Sequence, residues 1–165
     1  DESGNEYDDN IERAIFYARG VLETVKKLRW CPDLICCQGW MSAVVPFYIK
    51  TAYREEPPFA EAKVVSTLYG ELPDATKLQR FAECLDFRSA NAETLQQAGV
   101  DLTKADSLGR LAVAFSDGVI EAESGKQNEL LDYAKQLNVP VLNTPAEETK
   151  ADAYNAFFDQ VLGGE

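Results

Sequence analysis

Arg29-Trp30-Cys31-Pro32-Asp33-Leu34-Ile35-Cys36-Cys37-Gln38-Gly39-Trp40 is the stretch whose reading decides the fold. Pro32 stops the helical pattern before it, Leu34 to Cys37 is wholly apolar, and Gly39 opens a tight turn before renewed helical sequence. The order is helix end, strand, turn, helix start. A short, wholly apolar strand is the pattern of one buried on both faces of a parallel sheet. Such sheets bind ligands outside the carboxyl ends of their strands, so Cys37, Gln38, Gly39 and Trp40 are placed to meet one. The turn holds no histidine, and neither does the rest of the chain.

Working upstream, residues 1–9 are acidic and polar, and Asp9 or Asn10 can cap a helix beginning near Ile11. Ile15, Phe16, Val21, Leu22, Val25 and Leu28 give it an apolar face, and Lys26, Lys27 and Arg29 suit the dipole at its end. Downstream, a helix from about Trp40 to Arg54 contains Pro46, which is expected to kink it. Lys63 to Leu68 is a second strand, closing at Tyr69-Gly70. Residues 71–110 offer only short polar helical fragments, Thr76 to Leu85 and Ala92 to Ala98. Leu108 to Phe115 is a helix feeding a third strand, Asp117 to Ile120. Gln127 to Leu137 is helical, Val139 to Leu142 is a fourth strand, and Glu147 to Leu162 is a closing helix. In that last helix Tyr154, Phe157, Phe158 and Val161 have the spacing to pack on the sheet. Strands alternate with helices long enough to cross back over them. The fold class is therefore α/β: a Rossmann-like, doubly wound, mainly parallel sheet flanked by helices, with residues 1–165 as a single domain. Four strands are few, so either the sheet is small or strands that normally lie before residue 1 are missing.

Composition removes several function classes. A net charge of −12 repels phosphate backbones and argues against nucleic acid as a partner. No apolar run approaches the roughly 18 residues of a membrane span. Cys31, Cys36, Cys37 and Cys84 form no CxxC pair, and without histidine no metal site is assigned. Cys36 and Cys37 should face opposite sides of their strand as buried, reduced thiols, which points to a reducing, cytoplasmic setting. Asp117 with Glu121 or Glu123 reads as ordinary strand-end acids, and Ser124-Gly125-Lys126 lacks the spacing of a phosphate loop. No catalytic residue and no cofactor are assigned.

Asp9-Asn10-x-x-Arg13, Pro32-Asp33-Leu34-Ile35, Gly39-Trp40, Val45-Pro46-Phe47-Tyr48 and Lys63-Val64-Val65 occur in an order that resembles bacterial glycogen and starch synthases. The match is good over residues 7–68 and thin beyond, where it rests on Leu111 to Val119. The resemblance implies part of the N-terminal domain of a two-domain GT-B glycosyltransferase of glycosyltransferase family five, in a short, divergent branch. Such enzymes move glucose from ADP-glucose to an α-1,4-glucan with retention and need no metal. Departures from the family pattern bear on mechanism. Where the family has His-x-His-Asp-Trp, this chain has Cys36, Gln38 and Gly39 at the two histidines and the aspartate. An amide can hydrogen-bond a hydroxyl but carries no proton at neutral pH. The family's Thr-x-His-Asn is here Thr67-Leu68-Tyr69-Gly70. Neither the family's Lys-x-Gly-Gly-Leu opening nor its nucleotide-sugar domain is found in residues 1–165.

The resemblance thus implies a sugar or glucan site at Gln38, Gly39, Trp40, Asp9, Asn10, Arg13 and Tyr69. For Gln38, Gly39 and Trp40 an alternative stands open: a strand–helix turn that Gly39 relaxes and Trp40 anchors. For Asp9, Asn10 and Arg13 a helix cap with a first-turn ion pair is the favoured reading. The expected function is a synthase-like domain without transferase activity on its own, holding an α-glucan, ADP-glucose or a protein partner. The alternatives are a fragment of an active synthase and a structural or homo-oligomerising domain.

Overall fold

Ile11, Ala14, Ile15, Ala18 and Leu22 recur at helical spacing and are all buried in α1 (Asn10–Lys27). Ile11, Ile15, Ala18 and Leu22 share the main core with Cys37 of β1 (Leu34–Gln38) and with α2 (Val44–Lys50), against which α1 packs, in the computed structural model, which describes residues 3, 4, 6–70 and 78–163. β2 (Lys63–Leu68), β3 (Gly118–Glu121) and β4 (Val141–Leu142) complete a four-stranded sheet of order β1-β2-β3-β4, parallel throughout. Between β2 and β3 lie α3 (Gln79–Cys84), α4 (Ala92–Gln97) and α5 (Ser107–Ala114). α6 (Asn128–Gln136) leads to β4, and a short 3-10 turn leads from β4 into α7 (Lys150–Leu162). The start of the predicted helix at Thr76 falls outside the described residues.

The helices divide between the two faces. α1, α2, α5 and α6 pack successively against one another on one face. On the other, Phe157 and Val161 of α7 close over Val65 and Ile120, with Tyr154 and Phe158 packed alongside. Gly118 is small for this reason: a Cβ there would meet Val161 Cγ2 at 2.8 Å and Phe157 Cζ at 3.0 Å. The doubly wound α/β expectation is met.

Four expectations are corrected. β1 is an edge strand, not one buried on both faces: Cys36 and Gln38 are exposed and only Cys37 is buried. Cys36 and Cys37 do point to opposite sides, but Cys36 is exposed rather than packed under a helix of the described residues, and Cys31 is exposed as well. The apolar face of α1 is built on Ala14 and Ala18, so Phe16, Val21 and Leu28 fall outside it and face solvent. Finally, Trp40–Ser42 forms a 3-10 turn and α2 begins only at Val44, which places Pro46 in the first turn. There its missing N–H has no partner to lose, so it neither breaks nor kinks the helix.

Candidate functional site

The carboxyl ends of β1 and β2 and the first turn of α5 enclose a cleft. It is lined by Gly39, Trp40, Thr67, Tyr69 and Leu108, with Cys37, Ser66 and Gly109 among its other walls. The turn after β1 is fixed by three bonds. Gly39 N–H donates to Thr67 O at 3.2 Å, and Ser42 Oγ donates to Gln38 O at 2.9 Å and to Gly39 O at 3.0 Å. Gly39 has φ 70° and ψ 171°, with open space where a Cβ would stand. Backbone conformation, and not crowding, is what calls for glycine there. Trp40 is half-buried against the main core and also forms a cleft wall. The Tyr69 carbonyl is held by the buried Gln127, whose Nε2 donates to it at 2.6 Å. Beneath, Ser66 Oγ and Ser116 Oγ are 2.8 Å apart, and Ser116 Oγ also donates to Ala112 O at 2.7 Å.

None of the described lining residues is Asp, Glu, Lys or Arg. Burial pushes the Cys37 thiol up to about 12, with Cys36 beside it adding to the shift, so it stays protonated at neutral pH. The enclosed space is about 20 Å³, room for about one water. A larger ligand would lie across the mouth, where the Tyr69 ring is 38% exposed. Aromatic faces, aliphatic side chains and backbone groups are what this surface offers, the Ser42 and Ser66 hydroxyls being already bonded within the fold.

The sequence-derived candidates do not all converge here. Gly39, Trp40 and Tyr69 meet in the cleft, whereas Gln38 lines a separate groove at the free edge of β1, beside Tyr17 and Val21. Asp9, Asn10 and Arg13 line neither. Asp9 stands at the N-cap position of α1 without capping it, and instead accepts from Arg13 Nε at 2.8 Å. That guanidinium holds the Asp9 carboxyl below the usual carboxylate range, and it also lies 4.6 Å from the Tyr7 ring centroid. The favoured reading of this trio thus keeps its ion pair and loses its cap.

The acids near β3 are structural. Asp117 sits at the amino end of the sheet, accepting from Val64 N–H at 2.8 Å and pairing with Lys50 at 2.7 Å. Glu121, at the other end and only 4% exposed, accepts from Gly125 N–H at 2.8 Å and from Thr144 N–H and Oγ1 at 3.1 Å. Those backbone donors hold its carboxyl below the usual range. Ser124-Gly125-Lys126 is the turn that supplies one of them. Sequence reasoning missed Ser66, Leu108 and Gly109 as cleft walls. The available signal was Gly109, a glycine inside an apolar helix, which marks a close approach. A Cβ there would collide with Leu130 Cδ1.

The family profile described as "Starch synthase catalytic domain" matches residues 1–139. The chain is similar to the glycogen synthase of Chlorobium luteolum, 41% identical over 66 residues, covering 40% of this chain and 14% of that protein. Against the glycogen synthase of Thermodesulfovibrio yellowstonii the figures are 44% over 64 residues, covering 39% and 13%. With the glycogen synthase of Photobacterium profundum, the similarity is 29% over 136 residues, covering 80% and 25%. The chain therefore spans only 13–25% of the length of these relatives. No solved structure matches it.

Proposed function

From the premise that this chain belongs to the starch synthase catalytic domain family, we propose that it binds an α-1,4-glucan across the Gly39–Trp40–Tyr69 cleft and does not transfer glucose unaided. The observation that carries this reading is the absence of any Asp, Glu, Lys or Arg from the described cleft lining. Glycosyl transfer needs a stabilised leaving diphosphate and a screened oxocarbenium-like centre. A wall of indole, phenol, hydroxyl and aliphatic groups serves neither need. It does suit a pyranose, whose apolar face stacks on an aromatic ring while its hydroxyls take hydrogen bonds. Gln38 stands outside the cleft, where its amide can reach a sugar unit only beyond the edge of β1.

Electrophoresis through a gel containing glycogen tests this reading. The chain should be retarded relative to a glycogen-free gel, and Trp40→Ala should restore most of the mobility. Equal mobility of the unaltered chain in both gels would end the proposal.

A second reading is favoured by the small share of its relatives that the chain covers. Here these residues are one piece of a working ADP-glucose-dependent glucan synthase, with the donor site formed elsewhere. Incorporation of label from ADP-glucose into glycogen by the 165-residue chain alone would overturn both readings, because it requires a donor site within these residues.

A further inference from the structure

We propose that Gln127 is a positioning residue for the cleft, holding Tyr69 at its mouth through the backbone. β2 ends at Leu68, which is paired with Glu121, and the Leu68 carbonyl accepts the Ala122 N–H at 3.0 Å. Tyr69 is thus the first residue beyond the ladder, where strand pairing no longer fixes the chain. Its side chain does little to hold it. The residue is exposed, and among the described residues no aromatic ring or cation stacks on the phenol. Trp40, the other aromatic wall, differs, because it packs against the main core.

What fixes Tyr69 comes from the start of α6. Gln127 is buried, and its Nε2 donates to the Tyr69 carbonyl at 2.6 Å. It stands at the N-cap position of α6, where its own carbonyl accepts the N–H groups of Leu130 and Leu131 at 3.0 Å each. That helix is anchored in turn by Leu130, Leu131 and Ala134, in a core shared with Leu68. The amide therefore reaches Tyr69 from a firm support. The turn before α6 closes on the next residue as well: a Cβ on Gly70 would meet Glu123 Oε2 at 3.0 Å and Lys126 Cβ at 3.5 Å. Glu121 Oε1 holds that turn by accepting the Gly125 N–H at 2.8 Å.

A carbonyl only accepts, so the role needs an N–H at the end of a side chain, which an amide supplies without charge. An uncharged donor suits a position this buried. Methionine has nearly the shape of glutamine and no donor, so Gln127→Met removes the bond and little else. The consequence for binding is pre-organisation. A ring already in place costs no ordering when a glucan chain lies on it, whereas a frayed Tyr69 has to be fixed at the moment of contact. The inference takes its ligand from the glucan reading; the hold on Tyr69 does not depend on it.

The test labels the seven tyrosines with 3-fluorotyrosine and follows their fluorine signals without ligand, Tyr69 being identified by the signal lost in Tyr69→Phe. In the unaltered chain that signal should stand apart from that of free 3-fluorotyrosine. In Gln127→Met it should move towards the free position while the others stay. Titration with maltoheptaose gives the second readout. Gln127→Met should bind about three- to tenfold more weakly, and should cost nothing further when added to Tyr69→Ala. A general loss of structure would instead disturb several tyrosines and weaken both backgrounds alike. The proposal is overturned if the Tyr69 signal of the unaltered chain lies at the free position, a result that needs no variant to fold. It is also overturned if Gln127→Met leaves that signal unmoved, leaves the binding of maltoheptaose unchanged, or weakens it equally with and without Tyr69. If the unaltered chain takes up no maltoheptaose, the glucan reading falls, and the fluorine signals alone decide whether Gln127 holds Tyr69.

Discussion

Asp117, at the amino end of β3, draws the Val64 N–H, Lys50 and, at 3.9 Å, Lys63 onto one carboxylate. At the carboxyl end of the same strand Glu121 is also fully engaged, but by the backbone of Gly125 and Thr144 and by a hydroxyl. Between the two ends the character of the surface changes. The amino end is tied together by opposite charges. At the carboxyl end the buried Glu121 is turned into a loop clamp, and none of the described residues of the neighbouring cleft wall is charged. The difference teaches that charge near this sheet serves the scaffold. The proposed glucan contact at the cleft therefore rests on stacking, hydrogen bonds and shape.

The comparison breaks most readily at Asp117. Asp117→Ala leaves the Val64 N–H without its acceptor and Lys50 with only the Ala62 carbonyl, and should lower the free energy of urea unfolding by about 1–3 kcal/mol. A loss well below about 1 kcal/mol would mean that the amino end is not held by charge. Gly39→Ala comes next. Forcing a side chain onto a backbone at φ 70° and ψ 171° should destabilise by about 1–3 kcal/mol and reduce retardation by glycogen. An unchanged unfolding curve would show that the turn relaxes at no cost.

Glu121→Gln sharpens the contrast through pH. The carboxyl is held below its ordinary value in the fold, so its stabilising contribution is complete above the unfolded value of about 4.3. That contribution is lost as pH falls through the lowered native value. The gap between wild type and Glu121→Gln in urea unfolding should therefore be largest at pH 7 and shrink towards pH 3. A gap of constant size would mean that the clamp does not need the charge. Arg13→Ala should have the smallest effect, leaving both the thermal midpoint and glycogen retardation unmoved, because its ion pair with Asp9 is exposed on both sides. Lost retardation in that variant would bring Asp9, Asn10 and Arg13 back into the binding surface.

Much of the scaffold could be read from residue order. Lys63 to Leu68 is found where its β-branched run places it, and Phe157 and Val161 pack as their spacing predicts. The edge position of β1 was not legible, because Leu34 to Cys37 reads the same whether a neighbouring strand is present or not. The face of α1 was misjudged for a different reason. Ala14 and Ala18 let α1 approach its neighbours closely, yet weigh little beside Phe16 and Leu28 in a count of apolar residues. Of the candidate site, Gly39, Trp40 and Tyr69 could be found because they follow strands directly. Gln38 is adjacent in sequence, but the pleat and the turn send it to the other side of the strand's end. Ser66, Leu108 and Gly109 come from distant segments with no motif to link them.

The family profile ends at residue 139, and α7 begins at Lys150. Phe157 and Val161 are nevertheless the cover for Val65 and Ile120 in the middle of the sheet. Cutting the polypeptide where the similarity stops would strip that cover and wet an apolar surface of the central strands. The shortened product should then be an aggregating one, and the smallest soluble unit has to be drawn past Val161.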